Sequence, residues 1–150
     1  MIHSTIGLIH TVFAVLAMIF GGIVLLQIKG DKTHKVLGYI YVVCMLGLNG
    51  TAFAIYNFGG FSLFHGFALV SLAALMGGMI PILKKSKGWY KAHFFSMNWS
   101  VVGLYCAFWA ETGTRLLQGQ HFWWVVALAS FGTAMVGMVL INRKAKKIFG

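Results

Sequence analysis

The stretch STIGLIHTVFAVLAMIFGGIVLLQI, residues 4–28, runs 25 positions without a charged side chain and then meets Lys29. About 20 apolar residues suffice to cross a hydrocarbon core as a helix. The same pattern recurs along the chain, and it decides the fold. Further spans are expected at about Thr33–Tyr56, Phe61–Leu83, Tyr90–Leu116 and Phe122–Ile141. The expected fold is all-α: a polytopic membrane protein of five transmembrane helices, a four-helix up-down core plus a fifth. The connecting loops are short, so neighbouring helices are antiparallel. All 150 residues are taken up by one transmembrane domain.

Composition agrees. Apolar residues make up 59% and charged residues only 9%, against roughly 25% charged in soluble domains. The 14 ionic side chains cannot cover a water-soluble surface of this size. Hydrophobicity excludes disorder, and two cysteines, Cys44 and Cys106, exclude a disulfide scaffold. No cation precedes Lys29, so the basic start of a secretory signal peptide is missing and the first span is expected to be retained.

The net charge of +10 raises the question of nucleic acid, but the positions of the cations answer it. Eleven of the twelve fall at 29–35, 84–91 and 143–147, between or after apolar stretches. That is a positive-inside pattern. It predicts the inner, cytoplasmic membrane, with the N-terminus outside and the C-terminus inside. Such clusters also attract anionic lipid head groups. Basic patches interleaved with stacking aromatics are missing, so no nucleic-acid partner is expected.

The histidines carry a second pattern. His10 lies 19 residues before Lys29 and His65 lies 19 before Lys84. At 1.5 Å per residue both stand ~28 Å from those lysines, in an outer layer. His34 and His93 open their spans beside Lys35 and Lys91, in an inner layer. In an up-down bundle each layer holds a diagonal pair. Glu111 follows His93 by 18 residues, five helical turns, and shares the depth of His10 and His65. His10, His65 and Glu111 thus form a two-histidine, one-carboxylate set suited to a divalent metal such as zinc, iron or copper. Glu111 and Arg115 also stand four apart, the spacing of an ordinary helical ion pair. The inner layer adds Asp31 and Met97. His3 and His121 are set aside as terminal and loop residues. Glycines inside the spans admit close helix packing, or room for a flat cofactor.

These residues carry a resemblance. Residues 33–42, Thr-His-Lys-Val-Leu-Gly-Tyr-Ile-Tyr-Val, resemble the HRxxGxxY signature of the bacterial "domain of unknown function 2306" membrane proteins. Lys35 stands in the arginine position, so a contact needing a guanidinium fork is not implied. Phe64-His65, His93 with Met97 and Trp99-Ser100, and Ala110-Glu111 with Arg115 fit the same outline, over about residues 7–116. The resemblance implies membrane localisation and histidine-bearing helices, without a reaction.

By analogy of arrangement alone, the two layers are similar to di-haem transmembrane cytochromes. Three functions follow. In the first, His10 with His65 and His34 with His93 ligate haem b in an electron-transfer role, with a quinone or a larger membrane complex as partner. In the second, His10, His65 and Glu111 hold a colourless metal. In the third, the chain is a non-catalytic small subunit that packs against larger membrane partners within the lipid bilayer. No Ser-His-Asp set, P-loop or His-Glu-x-x-His motif names a reaction.

Overall fold

The computed structural model describes residues 5–56, 60–118 and 120–150. Among them are five α-helices and no strand: α1 (Thr5–Leu26), α2 (Lys32–Ala52), α3 (Leu63–Leu83), α4 (Trp89–Leu116) and α5 (Phe122–Phe149). Four of these, α1, α2, α3 and α5, are long and apolar enough to cross a membrane. α4 is long enough but interrupts its apolar run with His93, Ser96, Asn98 and Ser100, and closes on Glu111 and Arg115. Large apolar side chains such as Val12, Val43, Val70 and Leu128 face outward. That is the surface of a chain whose solvent is lipid.

Several boundaries differ from the sequence expectation, for local reasons. α1 ends at Leu26 rather than Ile28, because Lys29 Nζ turns back to donate to the carbonyls of Val24 and Leu25 (2.7 and 3.4 Å). The amine thereby satisfies carbonyls that the last turn of a helix leaves open. Gly30, at φ +89°, makes the turn into α2. Asp31 then caps α2 by accepting from the His34 backbone N–H at 2.7 Å. Asp31 is therefore the helix cap of α2.

α2 stops at Ala52, and the Phe53–Tyr56 segment expected in the second span leaves the helix. At the other extreme, α5 continues eight residues past Ile141 and takes the basic tail with it. Lysine and arginine are good helix formers, so their charge ends a span without ending a helix.

Contacts gather the chain into two units, residues 1–76 and 77–150. In the first, α1 packs along α2. The Phe13 ring lies against Gly47, where a Cβ would stand 2.7 Å from it. Ala17, Gly21 and Val24 are buried on α1, and Tyr41, Cys44 and Met45 on α2. Asn49 joins α2 to α3, donating to the Met45 carbonyl (2.7 Å) and to Ser71 Oγ (3.4 Å).

In the second unit α4 packs along α5. Gly113 meets Val125 and Gly137 meets Val102, again with small residues where backbones approach. The last turns of α3 join this unit through Gly77 and Gly78, which face Ser96 and Met97 of α4. Phe149 closes the far end. Its ring lies 5.6 Å from Tyr90, 5.4 Å from Phe94 and 6.2 Å from Phe95.

Candidate functional site

His10 and His65 both border the C-terminal end of α2, within the first unit. His10 Nδ1 stands 3.0 Å from Thr51 Oγ1. The same hydroxyl lies 2.9 Å from the Gly47 and Leu48 carbonyls. A hydroxyl has one proton. With that proton given to a carbonyl, Oγ1 accepts from His10 Nδ1–H, and the lone pair of the ring sits on Nε2.

His65 is arranged in the opposite sense. It opens α3 and is 3% exposed. Its Nδ1 accepts the backbone N–H of Ser62 at 3.0 Å, with Ser62 Oγ at the same distance. A backbone N–H can only donate, so the neutral ring carries its proton on Nε2. That Nε2 is buried without a hydrogen-bond partner. Three aromatic rings surround the imidazole: Phe61 at 5.0 Å and nearly parallel, Tyr56 at 5.1 Å, and Phe53 at 6.2 Å. Ending α2 early is what frees Phe53 and Tyr56 to reach it. An unsatisfied buried donor costs about 1–3 kcal/mol, so its retention calls for an explanation.

His93 belongs to the second unit. Its Nδ1 stands 3.1 Å from the Gly78 carbonyl. A carbonyl only accepts, so Nδ1 carries the proton and Nε2 holds the lone pair. This is the arrangement in which a histidine ligates a metal or haem iron, its other nitrogen held by a backbone carbonyl. Gly78 permits the approach: a Cβ there would lie 2.6 Å from Met97 Sγ, one turn beyond His93.

His34 is half-buried at the start of α2. Gly38, one turn on, has open space where a Cβ would stand. Glu111 pairs with Arg115: one carboxylate oxygen accepts from both Nε (3.0 Å) and a terminal nitrogen (2.5 Å). The pair is partly exposed, at the spacing foreseen for it. Among the described residues, no three His, Cys, Asp or Glu side chains gather as a metal site. His121 precedes α5 in a left-handed conformation, φ +54°, and His3 lies outside the described residues.

A family model for predicted membrane proteins, DUF2306, matches residues 7–143. The chain belongs to the DUF2306 family. The match extends past the α4 motifs and includes most of α5, beyond the segment whose residues carried the resemblance. No curated protein and no solved structure matches this DUF2306 protein. It is a membrane protein by family and by its apolar helices.

Thr51, Ser62 and Gly78 escaped the sequence reading, although they set the tautomers of three histidines. None is ionisable, and serine, threonine and glycine are common in membrane helices. Only Ser62 had a local signal: a serine three residues before a histidine at a helix start, the spacing of a reciprocal cap.

Proposed function

We propose that this DUF2306 protein is a five-span protein of the bacterial inner membrane, N-terminus outside, that binds haem b and serves electron transfer. The observation that supports it is the His93 ring, held at Nδ1 by the Gly78 backbone carbonyl, the way histidine ligands are oriented in metal and haem sites. His10, donating to Thr51, is in the same tautomer. His34 is the proposed inner partner of His93, by matching depth in the sequence, and Gly38 leaves room one turn from it. Haem would supply a one-electron carrier, with a quinone or a larger membrane complex as its electron partner.

His65 is the proposed outer partner of His10, and it fits less well. Its Nε2 carries a proton while Ser62 N–H occupies Nδ1. Ligation there requires the ring to release Ser62 and move its proton to Nδ1. The same tautomer weakens the alternative of a divalent metal on His10, His65 and Glu111, and Glu111 already spends an oxygen on Arg115.

The test is an absorbance spectrum of detergent-purified protein, expressed with adequate haem supply, oxidised and then dithionite-reduced. A Soret peak with sharp reduced α and β bands is expected. His93→Gln keeps an amide donor for the Gly78 carbonyl but lacks an imidazole, and it should lose haem while remaining folded. A featureless spectrum from folded wild-type protein would refute the proposal. Metal analysis would then separate a colourless zinc or copper site from a non-catalytic packing subunit.

A further inference from the structure

The second unit brings two cationic clusters to one end. The turn from α3 into α4 carries Lys84, Lys85, Lys87 and Lys91, all exposed. The end of α5 carries Arg143, Lys144, Lys146 and Lys147 on a continuous helix, so their positions are fixed relative to one another. Phe149, two residues beyond Lys147, packs against Tyr90, the neighbour of Lys91. It also packs against Phe94 and Phe95 one turn along. The clusters, 52 positions apart from Lys91 to Arg143 in sequence, therefore form one patch.

Among the described side chains of this unit, one carboxylate, Glu111, is present. The chain has two acidic residues, Asp31 and Glu111. Asp31 lies in the first unit and caps α2. Glu111 stands 20 residues along α4 from Lys91, ~30 Å away, and is held by Arg115. Trp89 and Tyr90, in contact at 5.7 Å, flank the patch. Tryptophan and tyrosine mark the level of the lipid head groups. A positive-inside signal needs only the number of cations in each loop. It does not need the two clusters clasped together by an aromatic ring.

We propose that this patch is a binding site for a lipid head group bearing two phosphates, of the cardiolipin class, one phosphate engaging each cluster. The cations lie at head-group depth, where each Lys or Arg near an anionic membrane contributes on the order of a fivefold gain in affinity. A diphosphate head group engages both clusters at the entropic cost of one binding event, which gives it an advantage over two separate singly charged lipids. This inference is independent of haem.

The experiment uses the full chain in a neutral detergent. Retention of cardiolipin, phosphatidylglycerol and phosphatidylcholine is compared by native mass spectrometry at matched phosphate concentration. Cardiolipin should be retained at least about tenfold more than phosphatidylglycerol, a gap of ~1.4 kcal/mol, and phosphatidylcholine hardly at all. Phe149→Ala keeps every charge and should bring cardiolipin down to the phosphatidylglycerol level. A second variant, Lys84, Lys85 and Lys87 all to Gln, leaves the α5 clasp intact and should have the same effect. Equal retention of the two anionic lipids by the wild type, or a cardiolipin preference that survives in the folded variants, would overturn the proposal. So would displacement of bound cardiolipin by inorganic phosphate at the same phosphate concentration, which would mark a free-anion site.

Discussion

Adding one methyl group at Gly137 should destabilise the protein, while the same change at Gly132, five residues earlier on α5, should not. A Cβ at Gly137 would stand 2.5 Å from Val102 Cγ2, 2.7 Å from Cγ1 and 3.2 Å from Cβ. Comfortable carbon contacts are ~3.5–4.0 Å, so the valine must retreat by about 1 Å. It has little freedom to do so, because a β-branched side chain on a helix has one strongly preferred χ1. Forcing it off rotamer, or parting α4 from α5, amounts to overpacking at about 1–3 kcal/mol. At Gly132 a Cβ meets nothing within 4 Å. There only the helix-propensity gain of alanine remains, at most about 1 kcal/mol. That gain applies at both positions and cancels in the comparison. Gly137→Ala should therefore fall below Gly132→Ala by ~1–3 kcal/mol in SDS-induced unfolding followed by tryptophan fluorescence. Adding Val102→Ala to Gly137→Ala should recover part of the loss in a double-mutant cycle. Two glycine variants equal within about 0.5 kcal/mol would show that the α4–α5 contact is not tight, and the reasoning would fail.

Selective ¹⁵N-histidine labelling should reveal two neutral tautomers, with the proton on Nε2 in His65 and on Nδ1 in His93; a common tautomer for both would contradict the Ser62 and Gly78 hydrogen bonds. Asp31→Ala removes the cap on α2 and should cost about 1 kcal/mol, read as a lower melting temperature in detergent; an unchanged melt would mean that α2 is held entirely by packing. Glu111→Gln breaks a partly exposed pair worth less than about 1 kcal/mol and should leave haem or metal content unaltered; loss of a stoichiometric metal would reinstate Glu111 as a ligand.

The all-α membrane class was legible because lipid imposes it: long apolar runs and basic loops need no tertiary information to read. The ends of helices were less so. The sequence reading placed the close of α5 at Ile141, just before the basic tail, treating charge as a stop, whereas lysine and arginine continue a helix well. It carried α2 through Phe53 and Tyr56 because both are apolar, whereas their rings are drawn off to the His65 imidazole. The Glu111–Arg115 pair was foreseeable from spacing alone. The histidine tautomers were not, because each depends on one hydroxyl or backbone group brought up by the fold.

Within each unit the main helix pair is adjacent in sequence: α1 with α2 in the first, and α4 with α5 in the second. Translation proceeds at ~5–20 residues per second. The first hairpin is complete at Ala52, roughly a hundred residues before Phe149, so at that rate it exists about 5–20 s before the second can form. α4, the helix with the weakest apolar run, is synthesised immediately ahead of the partner whose Val125 and Gly137 meet its Gly113 and Val102. It waits only for the next 33 residues, from Leu116 to Phe149, to supply its neighbour. A ribosome stalled within α5 would leave α4 without that partner, and a quality-control protease would find its Val102 and Gly113 uncovered, while the α1–α2 hairpin stays closed.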